Sequence, residues 1–147
     1  MVQAATIAVQ QNVPELNYKV VPDIFQMPEG VNFGPCSAVA VRANGNILVF
    51  SRNEHALMEF NPQGMYLRSL GRGVFDNPHG LRLDAQGNIW TTGPGGVLII
   101  SKDGKHLGSI LTGQATANCA FGGADHSTLY ITADMFLLRV KTLAKGL

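Results

Sequence analysis

Short runs of alternating apolar and polar or small residues, separated by turn residues, recur along most of the chain. Ser37-Ala-Val-Ala-Val41 and Leu81-Arg-Leu83 each place apolar side chains at every second position, the pattern of a strand with one face on a core. Behind each run comes a tight turn, Ala43-Asn-Gly-Asn46 or Ala85-Gln-Gly-Asn88. A second β-rich run then follows, Asn46 to Phe50 or Asn88 to Thr92. Asn44-Gly45 and Asp103-Gly104 are hairpin signals, because these residues accept positive φ cheaply. Two more hairpins are predicted, Ala56 to Phe60 with Met65 to Leu70, and Val97 to Ser101 with His106 to Leu111. A further strand is expected over Met135 to Lys141. No helical period with caps runs over a useful length.

The chain also repeats itself. Cys36 to Phe50 aligns with Pro78 to Thr92 at an offset of 42 residues, and Phe33 falls on Phe75. A looser third copy runs from Asn118 to Thr132 with a turn one residue longer. A period near 40 residues built from four short strands is the signature of a β-propeller blade. Two full copies supply eight strands and the third supplies three. Tyr18-Lys-Val-Val21 with Ile24-Phe25 is read as the twelfth, outermost in its blade, where Pro22 costs no ladder bond. The expectation is an all-β chain with a flexible segment over 1–17 and three four-stranded blades over 18–147.

Composition narrows the function classes. Of 147 residues, 46% are hydrophobic and 14% charged, against about 25% charged in an average soluble protein. Disorder, coiled coils and solvated bundles are excluded on that ground. Net charge is +1 with no basic run, so no nucleic-acid partner is expected. No stretch reaches the roughly 18 apolar residues of a membrane span, and Met1 to Gln11 lacks the charged start of a signal peptide. A soluble protein without a membrane partner is therefore expected. Cys36 and Cys119 have no paired spacing and are read as small buried residues.

Two resemblances attach to these motifs. Met27-Pro-Glu-Gly-Val-Asn-Phe-Gly-Pro35, Leu48-Val-Phe-Ser-Arg52 and Asn77-Pro-His-Gly-Leu81 resemble NHL-repeat propellers, especially relatives of peptidyl-hydroxyglycine amidating lyase, over residues 18–92. Gly93-Pro-Gly-Gly-Val97, Ala117-Asn-Cys-Ala-Phe-Gly-Gly123 and Thr128-Leu-Tyr-Ile-Thr132 look like the C-terminal part of the gluconolactonase and senescence-marker-protein family, over residues 93–147. Both resemblances imply a six-bladed propeller, of which this chain is half.

Residues just before each inner strand converge on a propeller's axis, and by the repeat these are Ser37, His79 and Asn118. The loops Arg52-Asn-Glu-His55, Gly93-Pro-Gly-Gly96 and Ala133-Asp134 reach the same face. The lyase resemblance implies zinc at the His79 position and a catalytic arginine at Arg52. Imidazole suits zinc, and the Asn118 carbonyl could join a calcium shell. His79 is otherwise a polar channel residue, Asn118 a turn residue, and Arg52 a partner of Glu54 or Glu59. Ser37, Asn53, Glu54 and His55 are the candidate substrate-binding residues.

The expected function is a metal-dependent hydrolase of lactones or esters, holding calcium or zinc and a small molecule in the channel. A non-catalytic ligand- or protein-binding propeller and an amidating-lyase-like enzyme are the alternatives. Three blades cannot close a ring that needs roughly 4 to 8. A homodimer is therefore expected, with Tyr18 to Phe25 pairing against the partner's strand over residues 135–141.

Overall fold

A computed structural model describes Pro14 and residues 16–147. The expected flexible segment over 1–17 lies outside the described residues, apart from Pro14, Leu16 and Asn17. The described residues are all β, with no helix. The first sheet holds β1 (Cys36–Val41), β2 (Ile47–Ser51), β3 (Leu57–Phe60) and β4 (Tyr66–Leu70) in sequential antiparallel order. The second holds β5 (Leu81–Leu83), β6 (Ile89–Ile100), β7 (His106–Gly122), β8 (Thr128–Ala133) and β9 (Phe136–Lys141).

Two of these strands are double. The Thr91 hydroxyl donates to the Leu98 carbonyl at 3.4 Å, whereas seven residues of straight strand span roughly 23 Å. So β6 turns back on itself through Gly93-Pro-Gly-Gly96, as the repeat requires. Likewise, the Thr112 and Thr116 hydroxyls meet at 2.8 Å, and β7 turns between them at Gly113, where φ is +70°. Its first arm pairs with the second arm of β6, and its second arm pairs with β8. The result is two four-stranded blades and a third of three strands. The inner strands β1, β5 and the second arm of β7 lie side by side. This is the arrangement of consecutive propeller blades.

The hairpin turns share one chemistry. Asn44, Asp84 and Asp125 each accept a backbone N–H from two residues on through a side-chain oxygen, holding the bend while strand partners pair. Asp84 goes further and accepts from the Asn88 amide and the Trp90 indole.

Between blades one and two lie Leu48, Phe50, Leu57 and Leu70 from one side and Leu81, Leu83, Ile89 and Ile100 from the other. Trp90 and Val97 meet Cys119, Leu129 and Ile131 between blades two and three. Each large side chain buried there contributes about 1.5–3 kcal/mol. Cys119 is buried as expected, and burial pushes its thiol up to about 11. Cys36 is exposed, contrary to expectation, because it sits at the open start of β1 where no blade covers it.

The early run departs from the sequence reading. Tyr18 to Phe25 forms no strand, and the first ladder contact is Gln26, which bridges Met65 in parallel. Phe25 then packs edge-on against Phe33 and Phe60. Residues 25–33 thereby cover Met58 and Phe60 on the outward side of the first blade. Nor does the chain beyond β9 add a fourth strand to the third blade. It returns over the neighbouring turns, where Thr142 and Gly146 donate to the Ser127 and His126 carbonyls and Ala85 donates to Lys145.

Candidate functional site

Arg52, His79 and Asn118 come from three different blades, and contacts through Pro78 and Gly80 bring their segments side by side. Arg52 leaves β2 beside Ser51, whose hydroxyl donates to the Phe33 carbonyl. The Arg52 backbone N–H donates to the Pro35 carbonyl at 3.0 Å. Its side chain then crosses to the second blade, where Nε donates to the Pro78 carbonyl at 3.3 Å. The next residue, His79, is held by its backbone N–H to the Thr92 carbonyl at 2.9 Å, and its ring is exposed.

Gly80 follows and makes the junction with the third blade. Its N–H donates to the Thr92 hydroxyl at 2.7 Å, and that hydroxyl donates to the Ala117 carbonyl at 2.6 Å. A methyl group on Gly80 would lie 2.6 Å from the Thr92 hydroxyl oxygen, 2.8 Å from Asn118 Oδ1 and 3.1 Å from the Ala117 carbonyl oxygen. Only glycine lets the second and third inner loops approach this closely. Gly80→Ala is therefore expected to destabilise the chain by about 1–3 kcal/mol, read as a lower urea midpoint, and to loosen the Asn118 end of the wall.

A cleft of about 150 Å³ opens beside His79, lined also by Asn77, Gly93, Pro94 and residues 115–117. Gly93 and Pro94 of this lining belong to a loop that the repeat predicts on the channel face, whereas the buried Thr116 is not among the candidates from sequence. The remaining candidates lie elsewhere. Ser37 donates to the Phe50 carbonyl at 3.4 Å within its own blade. Asn53 donates to the Asn32 and Phe33 carbonyls and latches the early segment. The His55 ring contacts the Ser69 hydroxyl of β4 at 3.0 Å, with the exposed Glu54 carboxylate 3.6 Å from its other nitrogen. Arg52 pairs with neither Glu54 nor Glu59; Glu59 is held by Arg42 and Arg68.

The metal expectation can be tested on the donors present. Among the described residues, no three His, Cys, Asp or Glu side chains are grouped to hold an ion. The wall of one chain offers a single imidazole and a neutral carbonyl oxygen. Calcium takes 6 to 8 oxygens and catalytic zinc about three protein ligands. One chain alone does not fit either ion.

Residues 51–134, more than half of the chain, match the SMP-30/gluconolactonase/LRE-like region. The chain belongs to that family. The match includes residues 51–92, which by motif resemble NHL propellers, so the second blade shares the family of the third. A gluconolactonase of Zymomonas mobilis is 36% identical over 112 residues, covering 71% of this chain and 30% of that protein. An X-ray structure assigned as a gluconolactonase has a TM-score of 0.68 at 33% identity, covering 76% of this chain and 40% of its own. Regucalcin of Agrobacterium tumefaciens, described as a calcium-binding protein, shares the fold with a TM-score of 0.64 at 19% identity, covering 77% of this chain and 48% of its own. The chain thus spans less than half the length of these relatives. Among the described residues no helix is long and apolar enough to cross a membrane.

Proposed function

We propose that this chain supplies the active wall of a hydrolase acting on small lactones or related cyclic esters. The observation that carries the reading is the cleft lined by His79, with Arg52 reaching the Pro78 carbonyl on one side of that residue and Asn118 set against Gly80 on the other, in a chain of the gluconolactonase family. Arg52 has only its Nε committed among the described residues, so its two terminal nitrogens can donate to a carbonyl oxygen as negative charge develops there.

His79 is the base of the reaction. Its imidazole takes a proton from water as the water oxygen bonds to the lactone carbonyl carbon. The ring C–O bond then breaks, the proton passes to the departing alkoxide oxygen, and a hydroxy acid is released. Asn118 positions the substrate through its amide. No step runs through a metal, because the donors of one chain do not make a shell.

The test is proton release from an aldonolactone at constant pH, using folded, monodisperse chain. A rate above buffer that saturates with substrate is expected. A rate equal to buffer would overturn the reading, and saturable binding without turnover would leave a ligand-binding propeller in its place.

A further inference from the structure

The same repeat positions are buried inside the arc of blades and exposed at its ends. Leu81 and Leu83 face the first blade and are 1% and 7% exposed, whereas their counterparts Val39 and Val41 are 63% and 59% exposed. At the opposite end, Leu48 and Trp90 face the following blade, while Tyr130, at that position in the third copy, is 39% exposed with Leu137 beside it at 73%. An open apolar cleft of about 410 Å³ lies at the first of these ends, between Phe25, Phe33, Ala38, Val39 and Val49. Both ends therefore carry the chemistry of a joint between blades, and each matches the other.

We propose that a second copy of this chain fills both ends, its third blade stacking on the first blade of its partner, so that two chains close one ring. The strand count of the third blade supports a second copy. The third blade lacks a fourth strand beyond β9, and residues 25–33 already lie over the outer half of the face it must meet. The run leading into that segment forms no strand of its own and is exposed, with Tyr18 at 85% and Val20 at 92%. It pairs with the partner's strand over residues 136–141 and completes its third blade, exchanging an edge at each joint. The ring sets two copies of the Arg52, His79 and Asn118 wall across one channel, which a single chain leaves open on one side.

Light scattering on the 147-residue chain at micromolar concentration tests this. The expected mass is twice the 15.7 kDa of one chain. Val39→Glu and Tyr130→Lys are each expected to give a monomer with unchanged β-sheet circular dichroism. Mixing the two variants is expected to restore the dimer, because one joint is then unaltered and the other opposes a carboxylate and an ammonium. Amide exchange along residues 136–141 is expected to be slow in the dimer and fast in either variant. A monomeric parent chain, an open-ended polymer, or a dimer that survives both substitutions would overturn the proposal. A Tyr130→Lys variant that remains dimeric while Val39→Glu does not would overturn it as well, since that result marks a joint between two like faces. The mass is independent of turnover: a dimer without lactone hydrolysis removes the hydrolase reading alone, and an active monomer removes the ring alone.

Discussion

Arg52→Ala is expected to lower kcat for lactone hydrolysis by about 10²–10³-fold, the usual cost of removing one oxyanion donor. Arg52 is well placed for this because its backbone and Nε are already anchored, by the Pro35 and Pro78 carbonyls respectively. Little ordering remains to be done when a substrate oxygen arrives, so the terminal nitrogens act as prearranged donors. Arg52→Lys keeps the charge but not the planar fork and should recover only part of the rate. Steady-state kinetics on the folded variants separate the roles. A fall in kcat at constant KM supports transition-state stabilisation, whereas a rise in KM alone would reduce Arg52 to a substrate anchor.

Glu59→Ala is expected to destabilise the chain by about 3–5 kcal/mol, because it breaks a buried ion pair and leaves its partner charged. That is a large part of the roughly 5–15 kcal/mol that holds a domain folded. The Glu59 side chain is 4% exposed and that of Arg42 11%. Arg42 Nε stands 3.1 Å from one carboxylate oxygen, but its angle makes this a charge contact without a hydrogen bond. Arg68 Nε donates to the other oxygen at 2.9 Å, and Asn46 adds a further hydrogen bond. Arg68 is 46% exposed, so solvent screens its share and Arg42 carries most of the effect. Arg42 also donates to the Gly87 and Lys102 carbonyls of the second blade. Glu59 therefore orients the arginine that ties two blades together.

The same group gives a pH dependence. Burial would raise the Glu59 pKa, but hydrogen bonds from Asn46 and Arg68 and the charges of Arg42 and Arg68 outweigh it and hold the carboxyl below its ordinary value. Its contribution is thus complete above the ordinary glutamate pKa and is lost as pH falls through the lowered folded value. Urea midpoints measured across the acid range should fall more steeply for the parent chain than for Glu59→Gln. Parallel curves would show that Glu59 does not carry the acid sensitivity.

Much of the fold is written in the periodicity of the chain. The offset of 42 residues between Cys36 to Phe50 and Pro78 to Thr92 determines the hairpins, the blade order and which positions face a neighbour. Leu48 and Trp90 share a register, as do Val39 and Leu81, because side chains in a strand alternate and the repeat length preserves that alternation. His79 and Asn118 share one repeat position at the entry to adjoining inner strands, and Arg52 reaches the Pro78 carbonyl from the loop after β2. Ser37 holds the same repeat position as His79, yet bonds within its own blade.

Tertiary structure decided what local pattern cannot express. Tyr18-Lys-Val-Val21 has the composition of a strand, but a strand exists only where another backbone offers matching donors and acceptors, and among the described residues none does. His55 and Asn53 occupy a loop pointed at the channel by the repeat, yet His55 Nδ1 is engaged by the Ser69 hydroxyl and the Asn53 amide nitrogen by the Asn32 and Phe33 carbonyls. The demand of Gly80 for a bare Cα likewise arises only when Thr92 and Asn118 crowd it from two other strands. Periodicity determines which face a side chain takes, since that is a property of the backbone alone. Its partners are decided by the packing of segments distant in sequence.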